Sequence, residues 1–231
     1  MKDTVETKNP VETLVVSENR KWWVLLAIGV GTFMSALDGS VANTVLPVIN
    51  NSFHSGVAEV EWIITVYLLV VSGLLLSFGR LGDMRGHKSV YVLGFAVFVL
   101  GSAACGLAPS VTVLILCRAV QAVGAAVLMA NAPAILTENF PSAQRGQALG
   151  LQATMTYLGL TVGPSLGGWL ANQFSWRAVF YINVPVGLAA LALSVRFIPS
   201  RPPLEQEQRF DLGGAITFIA GLVALLLALN Q

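Results

Sequence analysis

Charged residues are scarce in this sequence. Only 11% of its 231 residues are charged, whereas 55% are hydrophobic and the mean hydropathy is +0.73. A soluble domain averages about 25% charged residues, so this deficit excludes an ordinary soluble domain and indicates a polytopic membrane protein. The net charge of +1 comes from residues spread through short loops. The sequence therefore has no basic patch that would predict a nucleic-acid partner.

Cysteine and histidine are also rare, with two residues of each. Cys105 and Cys117 both lie in apolar runs, where we expect small packing residues rather than a disulfide or a metal site. His54 and His87 fall in separate predicted loops, and this separation argues against a metal centre. No group of His, Asp and Glu suits catalysis, so the sequence favours neither an enzyme nor a bound cofactor.

Long apolar runs dominate the sequence. A membrane-spanning helix needs about 20 mostly apolar residues. The runs between charges and turn residues predict an all-α protein with spans at 22–49, 62–81, 89–108, 110–136, 146–170, 178–198 and 212–231. The predicted divisions of the chain are a tail at 1–21, a six-helix bundle at 22–198, a charged, proline-rich linker at 199–211 and a seventh transmembrane helix at 212–231.

The basic residues predict how these spans are oriented. If the N-terminus is cytoplasmic, the cytoplasmic segments hold every one of the 13 lysines and arginines except Arg118 and Arg177. Because lysine and arginine concentrate in cytoplasmic loops, we expect a multi-pass protein of the cell (inner) membrane with a cytoplasmic N-terminus. Seven spans then place the C-terminus outside. The sequence stops as the seventh span ends, which is typical of a fragment or a truncated product.

One acidic residue stands alone in the first apolar run. Asp38 is the single charged residue between Trp22 and Ala58. A charge at membrane depth costs ~2.5 to 3.5 kcal/mol on insertion scales, so such residues are rare unless they handle ions, protons or a polar substrate. Asp38 therefore predicts transport. The alternative is a carboxylate that only hydrogen-bonds neighbouring helices.

The fourth span carries an arginine. Arg118 and Gln121 are three positions apart and share a helix face. At ~1.5 Å per residue, Asp38 and Arg118 reach similar depths in a hydrocarbon core ~30 Å thick. An ion pair or a shared proton is compatible with this spacing. The alternative is a static Arg118 held by backbone carbonyls.

A stretch rich in glycine and charge follows the second span. It reads GRLGDMRGHKSVY from Gly79 to Tyr91, and its glycines allow a tight turn at the membrane surface. The sequence predicts that this stretch is a cytoplasmic gating loop. Its functional positions would be Gly79, Asp83, Arg85, Gly86 and Lys88. The simpler interpretation is a basic loop that only sets the topology.

The fifth span contains the string GLTVGPSLGG. Gly159, Gly163 and Gly167 are four positions apart, so they line one face and let a neighbouring backbone approach closely. Pro164 removes a backbone donor and promotes a kink, and Gly168 completes the string. The alternative is ordinary small-residue packing.

Together these stretches resemble the major facilitator superfamily. The predicted loop is similar to its signature G-x-L-a-D-r-x-G-r-k, although Met84 and His87 replace residues that are often arginine and so weaken the charge cluster. LILCRAVQAVGAA resembles R-x-x-Q-G-x-G, and GLTVGPSLGG resembles the antiporter motif G-x-x-x-G-P-x-x-G-G. LDGSVANTVLPVI and WRAVFYINVPVG resemble segments of the first and sixth helices of fourteen-helix drug:proton antiporters.

The resemblance implies a fold and a function. The fold would be the N-terminal six-helix bundle followed by a seventh helix. The activity would be proton-coupled export of hydrophobic or cationic drugs and similar small molecules, driven by a proton gradient without a cofactor. Asp38, Arg118 and Gln121 would couple protons to substrate, the predicted loop would latch two bundles together, and the fifth-helix motif would hold the outer gate. The implied partners are the lipid bilayer, a small-molecule substrate and the missing C-terminal bundle. The alternative is a non-transporting fragment or an interaction partner of a full-length carrier.

Overall fold

The structure is a computed structural model that describes residues 18–201 together with Gly213, Gly214, Thr217 and Gly221. Within residues 18–201 the regular elements are all helical, and the all-α membrane bundle predicted from the sequence is confirmed. The helices are α1 (Glu18–Phe53), α2 (Val57–Arg85), α3 (His87–Leu107), α4 (Val111–Asn139), α5 (Arg145–Gln173), α6 (Ala178–Tyr181) and α7 (Asn183–Phe197), with a 3-10 turn at Ser142–Gln144. Most of the predicted tail, linker and seventh span lies outside the described residues.

In the part of the chain that the structure describes, five stretches are long and apolar enough to cross a membrane by length and composition. They are Asn19–Phe53, Val57–Arg85, His87–Leu107, Val111–Asn139 and Ala178–Phe197. The last of these is the predicted sixth span, which the structure divides into α6 and α7 at Ile182. α5 is 29 residues long but is not among the five, because its glycine, threonine, glutamine and serine residues lower its mean hydropathy.

Most helices extend beyond the limits that the charges predict. α1 has 36 residues, which is roughly 54 Å at 1.5 Å per residue. A hydrocarbon core is only ~30 Å thick, so this helix is long enough to continue past the core. Its backbone hydrogen bonds continue past Trp22 and Ile49, where the predicted span begins and ends. Hydropathy therefore predicted the apolar centre of the helix but not its ends.

Within residues 18–201, two apolar cores occupy opposite ends of the bundle. One contains Ile28 and Met34 of α1, and the other contains Leu37 and Val45 of the same helix. Asp38 therefore lies where the two cores meet, near the middle of the bundle. α5 packs along α1, whereas α4 lies between α2 and α3 and α7 contacts α1 and α3.

Candidate functional site

Asp38 is almost completely buried, with 3% of its surface exposed. Its Oδ2 accepts a hydrogen bond from Arg118 Nη1 at 2.6 Å. Its Oδ1 accepts hydrogen bonds from Gln121 Nε2 at 2.9 Å and from Asn183 Nδ2 at 2.8 Å. Hydrogen bonds to an ionised group are stronger than neutral ones, so three donors and one positive charge compensate for the burial of this carboxylate.

Arg118 is equally buried and connects three helices. Its Nη1 also donates to Gln121 Oε1 at 2.8 Å, and its Nε donates to the backbone carbonyl of Ile63 at 3.4 Å. The guanidinium carbon lies 4.0 Å from the centre of the Tyr67 ring, within cation–π range. Asp38 is the charged partner of Arg118, and the carbonyl contact is long by comparison. The structure thus brings Asp38, Arg118 and Gln121 together, and we call them, with Asn183, the Asp38 cluster.

Asn183 was missed by the sequence reasoning. Its Nδ2 donates both to Asp38 and to Ser102 Oγ at 3.1 Å, and Ser102 donates in turn to the carbonyl of Phe180 at 2.9 Å. Asn183 Oδ1 is buried without a hydrogen-bond partner among the described residues. The available signal was an uncharged polar side chain inside the apolar stretch WRAVFYINVPVG, which is weaker than the charge that identified Asp38.

We expect Asn183→Leu to destabilise the bundle by about 1.5–3 kcal/mol, because it removes a hydrogen bond to a buried charge. The measurement is chemical denaturation of the purified chain in detergent micelles. Asn172→Leu is the matched control, since Asn172 is exposed near the end of α5. Equal stability of the two variants would exclude a supporting role for Asn183.

The predicted gating loop is mostly helical, and this corrects the sequence prediction. Gly79, Asp83 and Arg85 belong to α2 and Lys88 belongs to α3, so Gly86 alone separates the helices. Gly86 has φ 87°, a left-handed conformation that glycine adopts without steric cost. A single residue therefore makes the whole turn, and the charged residues around it are fixed in helices.

These residues lie far from the Asp38 cluster. Asp83 is 20 positions along α2 from Ile63, which is roughly 30 Å of helix. Gly79 and Asp83 line an open groove between α2 and α4. Lys88 Nζ donates to the carbonyl of Val195 at 3.0 Å, where a positive charge is favourable near the C-terminus of α7.

The fifth-helix motif packs against α1. A Cβ atom on Gly159 would lie 2.6 Å from the carbonyl oxygen of Phe33, and one on Gly167 would lie 2.8 Å from Val41 Cγ1. Gly163 is similarly close to Ser40, whereas Gly168 has open space around it. The first three glycines therefore allow α1 and α5 to approach closely, and Gly168 does not take part in this contact.

Pro164 explains a hydrogen bond between these two helices. Because proline has no N–H, it cannot donate to the carbonyl four positions earlier, at Leu160. Ser40 Oγ of α1 donates to that carbonyl at 2.8 Å. α1 thus satisfies the acceptor that Pro164 leaves unpaired within α5.

Comparison with known proteins identifies the family. Residues 28–229 match the Major Facilitator Superfamily model. The chain is 38% identical over 212 residues to riboflavin transporter RibZ of Clostridioides difficile, covering 92% of this chain and 46% of that protein. It is 37% identical to multidrug resistance protein Stp of Mycobacterium tuberculosis, covering 90% of this chain and 38% of Stp. The chain thus spans less than half the length of these relatives.

Solved structures show the same fold. A peptide transporter POT in complex with sulfate matches with a TM-score of 0.70 and 16% identity, over 89% of this chain and 45% of that one. A bacterial homolog of the human lysosomal transporter Spinster matches with a TM-score of 0.63 and 19% identity, over 85% of this chain and 47% of that one. With a family match across most of its length, this chain belongs to the major facilitator superfamily.

Proposed function

We propose that this chain, working with a second bundle, is a proton-coupled antiporter that exports hydrophobic or cationic small molecules. The observation that carries the proposal is the buried pair of Asp38 and Arg118, which lies between the two apolar cores. A buried charge pair adds little stability by comparison with apolar packing, so a function is the better reason for its presence. The glycine and proline motif of α5 supports antiport through its resemblance to antiporters.

Asp38 is the proton acceptor in this proposal. Proton binding cancels its charge and weakens its attraction to Arg118, which is then free to move relative to α1. Gln121 contacts both residues, so it can follow either partner when they separate. A cationic substrate that approaches Asp38 competes with the proton, and this competition couples export of substrate to entry of protons.

A second bundle is the partner that the mechanism requires. Alternating access depends on two bundles rocking about a central site. Gly79 and Asp83 face an open groove, and we assign the latch between the bundles to this part of α2. We also propose membership of the fourteen-helix family, a location in the cell (inner) membrane and a cytoplasmic N-terminus. The proton gradient supplies the energy.

The test is efflux driven by a pH gradient in proteoliposomes that contain this chain joined to a second bundle. A fluorescent lipophilic cation serves as the substrate. We expect Asp38→Asn to lose at least about 90% of the gradient-driven rate, in keeping with a general contribution of 10²–10⁴-fold from a positioned proton-transfer group. Glu59→Gln makes the same chemical change at an exposed position and should keep the native rate.

Each outcome has a distinct meaning. Equal efflux by the native protein and Asp38→Asn would exclude the coupling role of Asp38. Efflux by the longer protein but not by the 231-residue chain would show that the second bundle is required. Efflux by neither, with both correctly folded, would favour a non-transporting interaction partner of another carrier.

A further inference from the structure

Three basic side chains meet at the C-terminal end of α7. Arg20 of α1 donates from Nε to the carbonyl of Phe197 at 3.0 Å, and Lys88 of α3 donates from Nζ to the carbonyl of Val195 at 3.0 Å. Arg196 belongs to this last turn of α7. We call Arg20, Lys88 and Arg196 the α7 basic cluster. Because α1, α3 and α7 each supply one member, the cluster exists only in the folded bundle.

The positive charge of this cluster is not balanced. Within the described residues, none of its three members forms an ion pair with a carboxylate. The C-terminus of a helix attracts cations, but it carries only about half an elementary negative charge. Arg20 and Lys88 hold carbonyls two positions apart, so their charges also repel each other. An anion bound here would remove this repulsion.

The cluster also has unused hydrogen-bond donors. The Arg20 side chain is exposed, and its Nη1 and Nη2 groups make no hydrogen bond with any described residue. A guanidinium presents its donors as a planar fork that matches two oxygens of one phosphate group. The Lys88 ammonium has three N–H donors, and the carbonyl of Val195 occupies one of them. The donors that remain suit a phosphate group.

A tryptophan indicates the depth of this cluster in the membrane. Trp23 of α1 is half exposed, and its ring stacks on Phe197 with 4.9 Å between the ring centres and 11° between the planes. Tryptophan concentrates at membrane–water interfaces, at the level of the lipid headgroups. Arg20 lies three positions before Trp23, so it shares the same helix face about 4.5 Å nearer to the water. This is the level of the lipid phosphates.

The surface next to the cluster is apolar. Leu188 and Val195 of α7 are exposed and seven positions apart, so they lie two turns from each other on one face. Leu26 of α1 is exposed as well, one turn deeper than Trp23. A hydrocarbon chain attached to the phosphate would lie against such a surface. The apolar face therefore favours a phospholipid over a free anion.

We propose that the α7 basic cluster binds the phosphate of an anionic phospholipid, whose acyl chains lie along the exposed face of α7. The bound lipid connects the ends of α1, α3 and α7. A zwitterionic lipid fits less well, because its ammonium group meets the surplus positive charge. The proposal depends neither on Asp38 nor on proton coupling or the direction of transport.

The first test is native mass spectrometry of the 231-residue chain in neutral micelles, titrated with phosphatidylglycerol or with phosphatidylcholine. We expect phosphatidylglycerol to bind at least about 10-fold more tightly than phosphatidylcholine, because each basic side chain near the headgroups attracts an anionic lipid. Arg20→Gln and Lys88→Gln should each weaken phosphatidylglycerol binding by roughly 5-fold and leave phosphatidylcholine binding unchanged. Equal affinity of the native chain for the two lipids would overturn the proposal.

Arg145→Gln is the matched control for Arg20→Gln. Arg145 is also exposed, and its Nε donates to the carbonyl of Phe140 at the end of α4. The control thus removes the same charged group from the same kind of helix end outside the cluster. It should keep the native affinity for phosphatidylglycerol. An equal loss in Arg145→Gln and Arg20→Gln would mean that surface charge alone attracts the lipid, and the site would be wrong.

The second test distinguishes a lipid from a free anion. A ligand that binds only the folded chain raises the thermal midpoint of unfolding. We expect phosphatidylglycerol to raise the midpoint of the native chain, whereas inorganic phosphate at the same concentration should not, since it has no acyl chain. Combining Arg20→Gln with Lys88→Gln should abolish the rise, and the curve in phosphatidylcholine shows whether this variant folds. An equal rise with inorganic phosphate, or a full rise in the folded double variant, would overturn the proposal.

Discussion

Asp38→Asn should destabilise the bundle by about 3–5 kcal/mol, because the Arg118 guanidinium would stay buried without a counter-charge. The amide that replaces the carboxylate keeps the size of the side chain, so no cavity forms, and the loss reports the missing charge together with the acceptor that becomes an NH2 donor. The measurement is chemical denaturation in micelles, with the exposed Glu59→Gln as the control for a carboxylate-to-amide change. A loss no larger than that of Glu59→Gln would contradict the structure of the Asp38 cluster.

A double-mutant cycle separates the pair from its surroundings. Arg118→Gln alone should cost less than Asp38→Asn, because Gln121 and Asn183 continue to donate to the carboxylate and a proton can neutralise it. Combining both changes removes both charges, and the combined loss should be smaller than the sum by about 0.5–3 kcal/mol. Additive losses would mean that the two residues do not interact.

Gly159→Ala should lower the stability of the bundle by about 1–3 kcal/mol, the usual range for overpacking a tight contact. The added Cβ would meet the backbone oxygen of Phe33 at 2.6 Å and Ala36 Cβ at 2.9 Å. Backbone atoms cannot turn aside as a flexible side chain can, so α1 and α5 would have to separate. Gly168→Ala is the matched control within the same motif, because its Cβ would enter open space.

The change in stability should have opposite signs in the two alanine variants. Alanine is favoured over glycine in a helix by about 1 kcal/mol, so Gly168→Ala should be neutral or slightly stabilising. Thermal unfolding of both variants in the same detergent provides the comparison. If both variants are stabilised equally, the contact between α1 and α5 is looser than the structure has it.

The sequence predicted the centres of the helices and the depth of two charges, because both follow from hydropathy and a fixed helical rise. Asp38 and Arg118 stood out as charges in apolar runs, and their pairing was one of two open alternatives. Asn183 carries no charge, so placing it at membrane depth costs less free energy than placing a charged residue there. It was therefore a weaker sign of a functional residue in the sequence. Only the packing of α7 against α1 and α3 shows that it reaches Asp38.

The position of His87 shows where the sequence was misleading. Charge and glycine around Gly86 predicted a loop, yet the left-handed glycine completes the turn in one residue and α3 begins at His87. The partners of His87 come from positions 83, 131 and 138, and nothing in the local pattern connects α2 to α4. Tertiary packing determined this site.

The hydrogen bond from Ser40 to Leu160 makes the effect of a substitution at position 40 depend on the residue at position 164. A proline at position 164 leaves an unpaired carbonyl at Leu160, and the hydroxyl that satisfies it belongs to another helix. Loss of Ser40 leaves the Leu160 carbonyl without a hydrogen-bond donor. Loss of Pro164 restores a backbone N–H in α5 that can donate to this carbonyl, so Ser40 is no longer needed. The order of substitution therefore matters: replacing Ser40 first leaves a carbonyl without its donor, whereas replacing Pro164 first does not.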